Sequence, residues 1–214
     1  MSSKQVVFER ITGALKRHSI THTDMPFENI LLDAKEDLLE EYKYFQELNR
    51  AKLTDSNPEN LATAIKEALK DFASQKVLCA LDLPCTLEQI DPEDLYEKIL
   101  YNKPVEEFRE EIFSIDTAIL KASCGVANLG MVGVVSSVAS PRLISLITLK
   151  CVILLEKSQI VKDLDQGIGV LKAQKEGRLP TNMLFIGGPS RTADIELKTV
   201  FGVHGPMEVH VILY

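Results

Sequence analysis

At Ile112 the chain changes character, and that change limits its fold more than any other feature. Before it, apolar residues recur at spacings of three and four. After it, the stretch IFSIDTAILKASCGVANLGMVGVVSS is rich in β-branched and small residues, with glycines at 125, 130 and 133. Helical spacing belongs to the first part, and short strands joined by tight turns belong to the second. Helices first, then strands with helices between them, predict an α/β fold: a mixed sheet flanked by helices, with a helical part in front.

The N-terminal half supplies the helices. Residues 4–18 set Phe8, Ile11 and Leu15 opposite Arg10, Lys16, Arg17 and His18, and a loop follows around Pro26. Leu38, Leu39, Tyr42, Phe45 and Leu48 predict a second helix. Pro58 near a first helical position, with Leu61, Ile65, Ala68 and Leu69 on one face, predicts a third. KVLCAL, from Lys76, reads as a buried strand, and one or two short helical turns are expected around Pro92 and Pro104. Beyond Ile112, LISLITLKCVILLEKSQIV reads as an apolar strand pair, VKDLDQGIGVLKAQKEGRLP as a helix ended by Gly177 and Pro180, and MEVHVILY as the last strand. The expected division is a helical extension over 1–50 and an α/β domain over 51–214.

A chain of 214 residues buries about 70% of its unfolded surface, enough for a core without staples. Its four cysteines, Cys79, Cys85, Cys124 and Cys151, lie in or beside apolar segments and never form Cys-x-x-Cys, so the spacing of a zinc knuckle or an iron–sulfur cluster is absent. Buried reduced thiols in a cytoplasmic protein are expected. A formal charge of -7 argues against nucleic acid, whose binding needs a clustered basic face. No apolar run reaches the ~18 residues of a membrane span, and the first residues lack a continuous apolar core of signal-peptide type.

Two C-terminal loops carry polar chemistry. In MLFIGGPSRTADIE an apolar strand ends at Gly187 and Gly188, and Ser190 with Asp194 and Glu196 reads as a helix start. Strand, glycine turn and helix N-terminus is an arrangement that binds anions. Arg191 offers a forked cation to a carboxylate or phosphate, and Asp194 can hold that arginine or a hydroxyl. A plain cap at Ser190 with a surface ion pair is the simpler alternative. In GVHGP, His204 sits between glycines on a loop, available for proton transfer. The expected ligand contacts are Gly187, Gly188, Ser190, Arg191, Thr192, Asp194 and Gly205, with His204 as acid or base. No His-x-x-His, Gly-x-Gly-x-x-Gly or P-loop pattern occurs, and no metal site is expected.

GPSRTADIE followed by GVHGPMEVHVILY resembles the C-terminal signature of the lactate utilization protein C family, the LUD domain. GVANLGMVGVVSSVASPRLISLI fits that family's central segment more loosely, with Gly130 and Arg142 in register and so added to the expected ligand contacts. The resemblance implies a NagB/RpiA/CoA-transferase-like fold. It also implies a cytoplasmic, non-cluster subunit in oxidation of L-lactate to pyruvate, beside partner subunits that carry the iron–sulfur clusters. The chain departs from the family in the central segment, where Ser123 and Asn128 replace two acids. In the related CoA-transferases a glutamate is the nucleophile, and Asn128 cannot form that acyl anhydride. Two alternatives stay open: a stand-alone enzyme or binding protein for a phosphorylated or CoA-linked small molecule, and a degenerate scaffold subunit.

Overall fold

The structure is a computed structural model that describes residues 3–17, 35–107, 109–173, 179–193 and 199–214. Contacts divide the chain into Met1–Ile30 and Leu31–Tyr214. In the first unit, α1 (Ser3–Arg17) ends on Lys16 and Arg17, where cations complement the helix dipole. The expected loop at Pro26 and His18 lie outside the described residues.

The second unit begins with α2 (Leu38–Leu48), whose Asp37 cap accepts hydrogen bonds from the amides of Leu39 and Glu40 at 3.1 Å each. The remaining helices are α3 (Leu61–Asp71), α4 (Leu87–Ile90), α5 (Arg109–Ile112) and α6 (Leu164–Ala173). The strands are β1 (Lys52–Asp55), β2 (Lys76–Cys79), β3 (Glu97–Leu100), β4 (Thr117–Lys121), β5 (Cys124–Val126), β6 (Met131–Val135), β7 (Lys150–Leu155), β8 (Ile160–Val161), β9 (Met183–Ile186), β10 (Arg191–Ala193), β11 (Thr199–Phe201) and β12 (Glu208–Leu213).

Six strands form one sheet in the order β1-β12-β7-β4-β2-β3, parallel throughout. The side chains of its central strands alternate between two cores. Cys151, Ile153, Leu155, Val209, Val211 and Leu213 face one, and Val152, Leu154 and Ile212 face the other. Both faces are covered, so CVILL, from Cys151, is a continuous apolar run. On the second face lies α3, through Leu61, Ala64, Ile65, Ala68 and Leu69. The first face is closed by a second sheet, ordered β8-β5-β6-β9, together with Tyr42 of α2 and Ile144. The mixed pairing expected of the main sheet belongs to this smaller one: β5/β8 is parallel, while β5/β6 and β6/β9 are antiparallel. The α/β class is as expected.

Several local expectations need correcting. The helical extension does not reach residue 50, because α2 buries Glu41, Tyr42 and Gln46 in the main unit and leaves Leu48 56% exposed. Strands β1 and β3 had no expected counterpart; each is four residues long and half-buried at an edge. The strand pair read around residues 143–161 is no pair, since β7 lies in the parallel sheet and β8 in the smaller one. The expected end of α6 at Gly177 lies outside the described residues.

Candidate functional site

The two C-terminal loops meet. The Ser190 amide donates to the Pro206 carbonyl at 2.8 Å, and the Gly202 amide donates to the Ser190 carbonyl at 3.0 Å. These bonds pin residue 190 to the segment before β12, and a Cβ placed on Gly205 would stand 3.5 Å from that of Ser190. The helix expected after Ser190 is not formed. Arg191–Ala193 is β10, antiparallel to β11, with Arg191 opposite Phe201 and Thr192 opposite Val200. An amide that would have been unpartnered at a helix N-terminus is used by Pro206, so the cap signal of Ser190 is overridden by tertiary pairing. Asp194 and Glu196 lie outside the described residues.

The strands that frame the loops belong to different sheets, not one as expected: β9 is the edge of the smaller sheet and β12 is interior to the parallel one. The end of α2 packs against the glycine turn after β9 and against Gly130. Gly188 has φ +83°, and a Cβ there would fall 2.2 Å from the Asn49 carbonyl oxygen. Gly130 has φ +56°, and a Cβ there would fall 2.5 Å from the Gln46 nitrogen. Asn49 Nδ2 donates to the carbonyls of Leu129 and Gly130 at 2.8 and 3.0 Å. Gly188 and Gly130 are therefore required by close packing on α2, where ligand approach had been expected. The polar groups left at the junction are Ser190, Thr192, Arg191 and the exposed His204. Arg191 Nη2 donates to the Gly187 carbonyl at 3.3 Å, which aims the guanidinium back over the glycine turn.

Arg142 belongs elsewhere. It opens the short 3₁₀ turn Arg142–Ser145 and lines a cleft of about 610 Å³ with Tyr101, Asn102, Lys103, Ser136, Ser137 and Thr181. Ser136 and Ser137 also line an adjoining cleft of about 390 Å³ with Asp82, Lys121, Ser123 and Ser140. Asp82, Tyr101–Lys103 and Lys121–Ser123 follow the carboxyl ends of β2, β3 and β4. From β2 the chain passes to β3 on one side, and β4 begins a series on the other, so the order of the sheet reverses between β2 and β4. Open α/β sheets bind ligands at such a reversal, outside the carboxyl ends. Lys103 and Tyr101 were not singled out in the sequence. The only signal was a polar YNK after a strand too short to recognise.

Burial sets the titration of the inner groups. It pushes the Cys79 and Cys151 thiols up to about 12 and the Cys124 thiol to about 11. It also raises the Tyr101 hydroxyl, helped by Glu106 and opposed by Arg142. His210 is 5% exposed, with Nε2 2.8 Å from Thr54 Oγ1 and no partner for Nδ1 among the described residues. Burial and the nearby Lys52 hold it below 6.5, against a smaller opposing effect of Asp71. It is a core histidine of β12, while His204 is the loop histidine.

An open parallel sheet closed on one face by a small mixed sheet, with polar loops at the α2 end, defines the class: a two-sheet α/β protein. The LUD domain matches residues 56–214, and the chain belongs to that family. It is 23% identical to the lactate utilization protein C of Bacillus pumilus over 214 residues, covering 94% of this chain and 88% of that one. It is 35% identical to the protein of that name from Shouchella clausii over 99 residues, 46% of this chain and 43% of the relative. An uncharacterized protein of Neisseria meningitidis is 32% identical over 117 residues, 54% of this chain and 50% of the relative. In these last two matches the chain spans about half the relative's length or less. The crystal structure of a DUF162 family protein from Deinococcus radiodurans superposes with a TM-score of 0.61 at 18% identity, over 83% of this chain and 96% of that one. That likeness establishes the shared fold.

Proposed function

We propose that the chain serves lactate utilization in the cytoplasm, as a subunit without a cluster of its own, beside iron–sulfur subunits that carry the electrons from L-lactate to pyruvate. The observation that carries this reading is the near end-to-end similarity to a protein named lactate utilization protein C. The cysteine spacing favours the division of labour, because Cys79, Cys85, Cys124 and Cys151 never form Cys-x-x-Cys. Asn128 and Ser123 exclude a carboxylate nucleophile at those positions, so the contribution of the chain is binding and proton handling.

The anionic group of that chemistry is assigned to the loop junction. Arg191 supplies the fork, Ser190 and Thr192 supply hydroxyls, and His204 supplies an exposed imidazole. The test is binding of L-lactate and pyruvate to the purified chain and to its complex with the cluster subunits. Arg191→Ala is expected to weaken binding by more than about 1 kcal/mol, the scale of a charge-assisted hydrogen bond. His204→Ala is expected to weaken binding as well. Unchanged affinity in both variants would remove the junction from the account. Anaerobic reconstitution that gave this chain alone a stoichiometric cluster would contradict the proposed division of labour.

A further inference from the structure

We infer that the cleft beyond the carboxyl ends of β2, β3 and β4 is a second ligand site. It takes an organic anion larger than lactate, with its charged group received by Lys103 and Arg142 and its hydroxyl-bearing body along Ser136 and Ser137.

Four observations converge on it. The cleft lies where the strand order reverses, the place at which an open α/β sheet leaves a crevice between connections that depart to opposite sides. Two cations, Lys103 and Arg142, line the same lobe, and among the described residues neither is in an ion pair. Cations left unpaired in a concave site favour an anion there. The ring of Tyr101, only 3% exposed, gives the lobe an apolar wall.

The serine rim is also held in place before any ligand arrives. The Leu81 amide donates to the Ala139 carbonyl at 2.8 Å, the Ser136 amide to Asn182 at 3.0 Å, and the Ser140 amide to Ser137 Oγ at 2.9 Å. A fixed rim lowers the ordering cost of binding. Size leaves room for an occupant larger than lactate: the two lobes, about 610 and 390 Å³, share Ser136 and Ser137 and lie in the range of sites for ligands of many more atoms. The charged group can be a phosphate or a carboxylate, since both match a guanidinium and an ammonium.

Calorimetric titration with 3-phosphoglycerate and with citrate separates those two sources, with L-lactate as the small control. Wild type is expected to bind at least one of the two larger anions more tightly than L-lactate, and more weakly as salt rises. Lys103→Ala and Arg142→Ala should each weaken that binding about fivefold or more, the equivalent of one lost charged hydrogen bond. Both side chains are exposed, so circular dichroism should show an unchanged fold, and Arg142→Lys should recover part of the affinity. Arg191→Ala should leave it unchanged. Wild-type affinity in both cleft variants, no binding of either anion at millimolar concentration, or loss on Arg191→Ala alone would overturn the site. None of these outcomes bears on lactate-dependent growth, which tests the proposed function separately.

Discussion

His210 shows how one buried side chain makes the stability of the whole sheet depend on pH. It faces Thr54 and Lys52 from β1 and lies near Phe72 and Asp71 at the end of α3, with ring centroids of His210 and Phe72 6.0 Å apart. Burial first, and Lys52 second, disfavour its charged form, so the folded state binds the proton less readily than the unfolded chain. The stabilising contribution of the neutral form is fully present above the unfolded value of 6.5 and is lost as pH falls below it. Urea midpoints for wild type should therefore drop between about pH 7.5 and 5.5, and His210→Gln should reduce that drop. An equal drop in both would assign the pH dependence to other groups. The sequence showed His210 alternating with Val209 and Val211, which places it on a strand. It could not show that Thr54 and Lys52, from a strand too short to recognise, would stand beside it.

At the scale of elements, legibility followed how far each one is stabilised by its own residues. The helix α3 was read because Leu61, Ile65, Ala68 and Leu69 share a face that the sheet buries, and β7 because five apolar residues in a row, Cys151 to Leu155, suit a strand covered on both sides. The hairpin β10–β11 was misread as a helix. Ser190 is a good cap residue, but its amide and carbonyl are bonded to Pro206 and Gly202, residues 12 or more positions away. Propensity yields when distant partners satisfy the same groups. The glycine turn was legible as a turn but not in its purpose, since nothing near Gly188 announces the Asn49 carbonyl. Gly188→Ala should thus cost more than about 2 kcal/mol, combining a left-handed conformation with a steric overlap at 2.2 Å. Chemical denaturation measures this directly. A loss below about 0.5 kcal/mol would mean that the turn and the end of α2 are not in contact as described.

For the whole molecule, the class was legible and the partition was not. Helices before strands correctly gave α/β. Burial of Tyr42 then drew α2 into a body expected to start at residue 51, and the β-branched stretch after Ile112 was divided between two sheets instead of one. That division sets up the proposed functional layout. One polar region forms where the loops of β9 and β12 meet at the end of α2, and a second forms at the carboxyl edge of the parallel sheet. Arg142, expected beside Arg191, belongs to the second.

The central claim is that this chain works in lactate oxidation through its loop junction. Growth on L-lactate as sole carbon source, in a strain lacking this protein and any redundant lactate dehydrogenase, measures that when wild type or Arg191→Ala is returned at equal abundance. The deletion strain is expected to fail to grow, wild type to restore growth, and Arg191→Ala to restore little of it. Undiminished growth of the deletion strain would contradict the role in lactate utilization, and full restoration by Arg191→Ala would contradict the assignment of the junction.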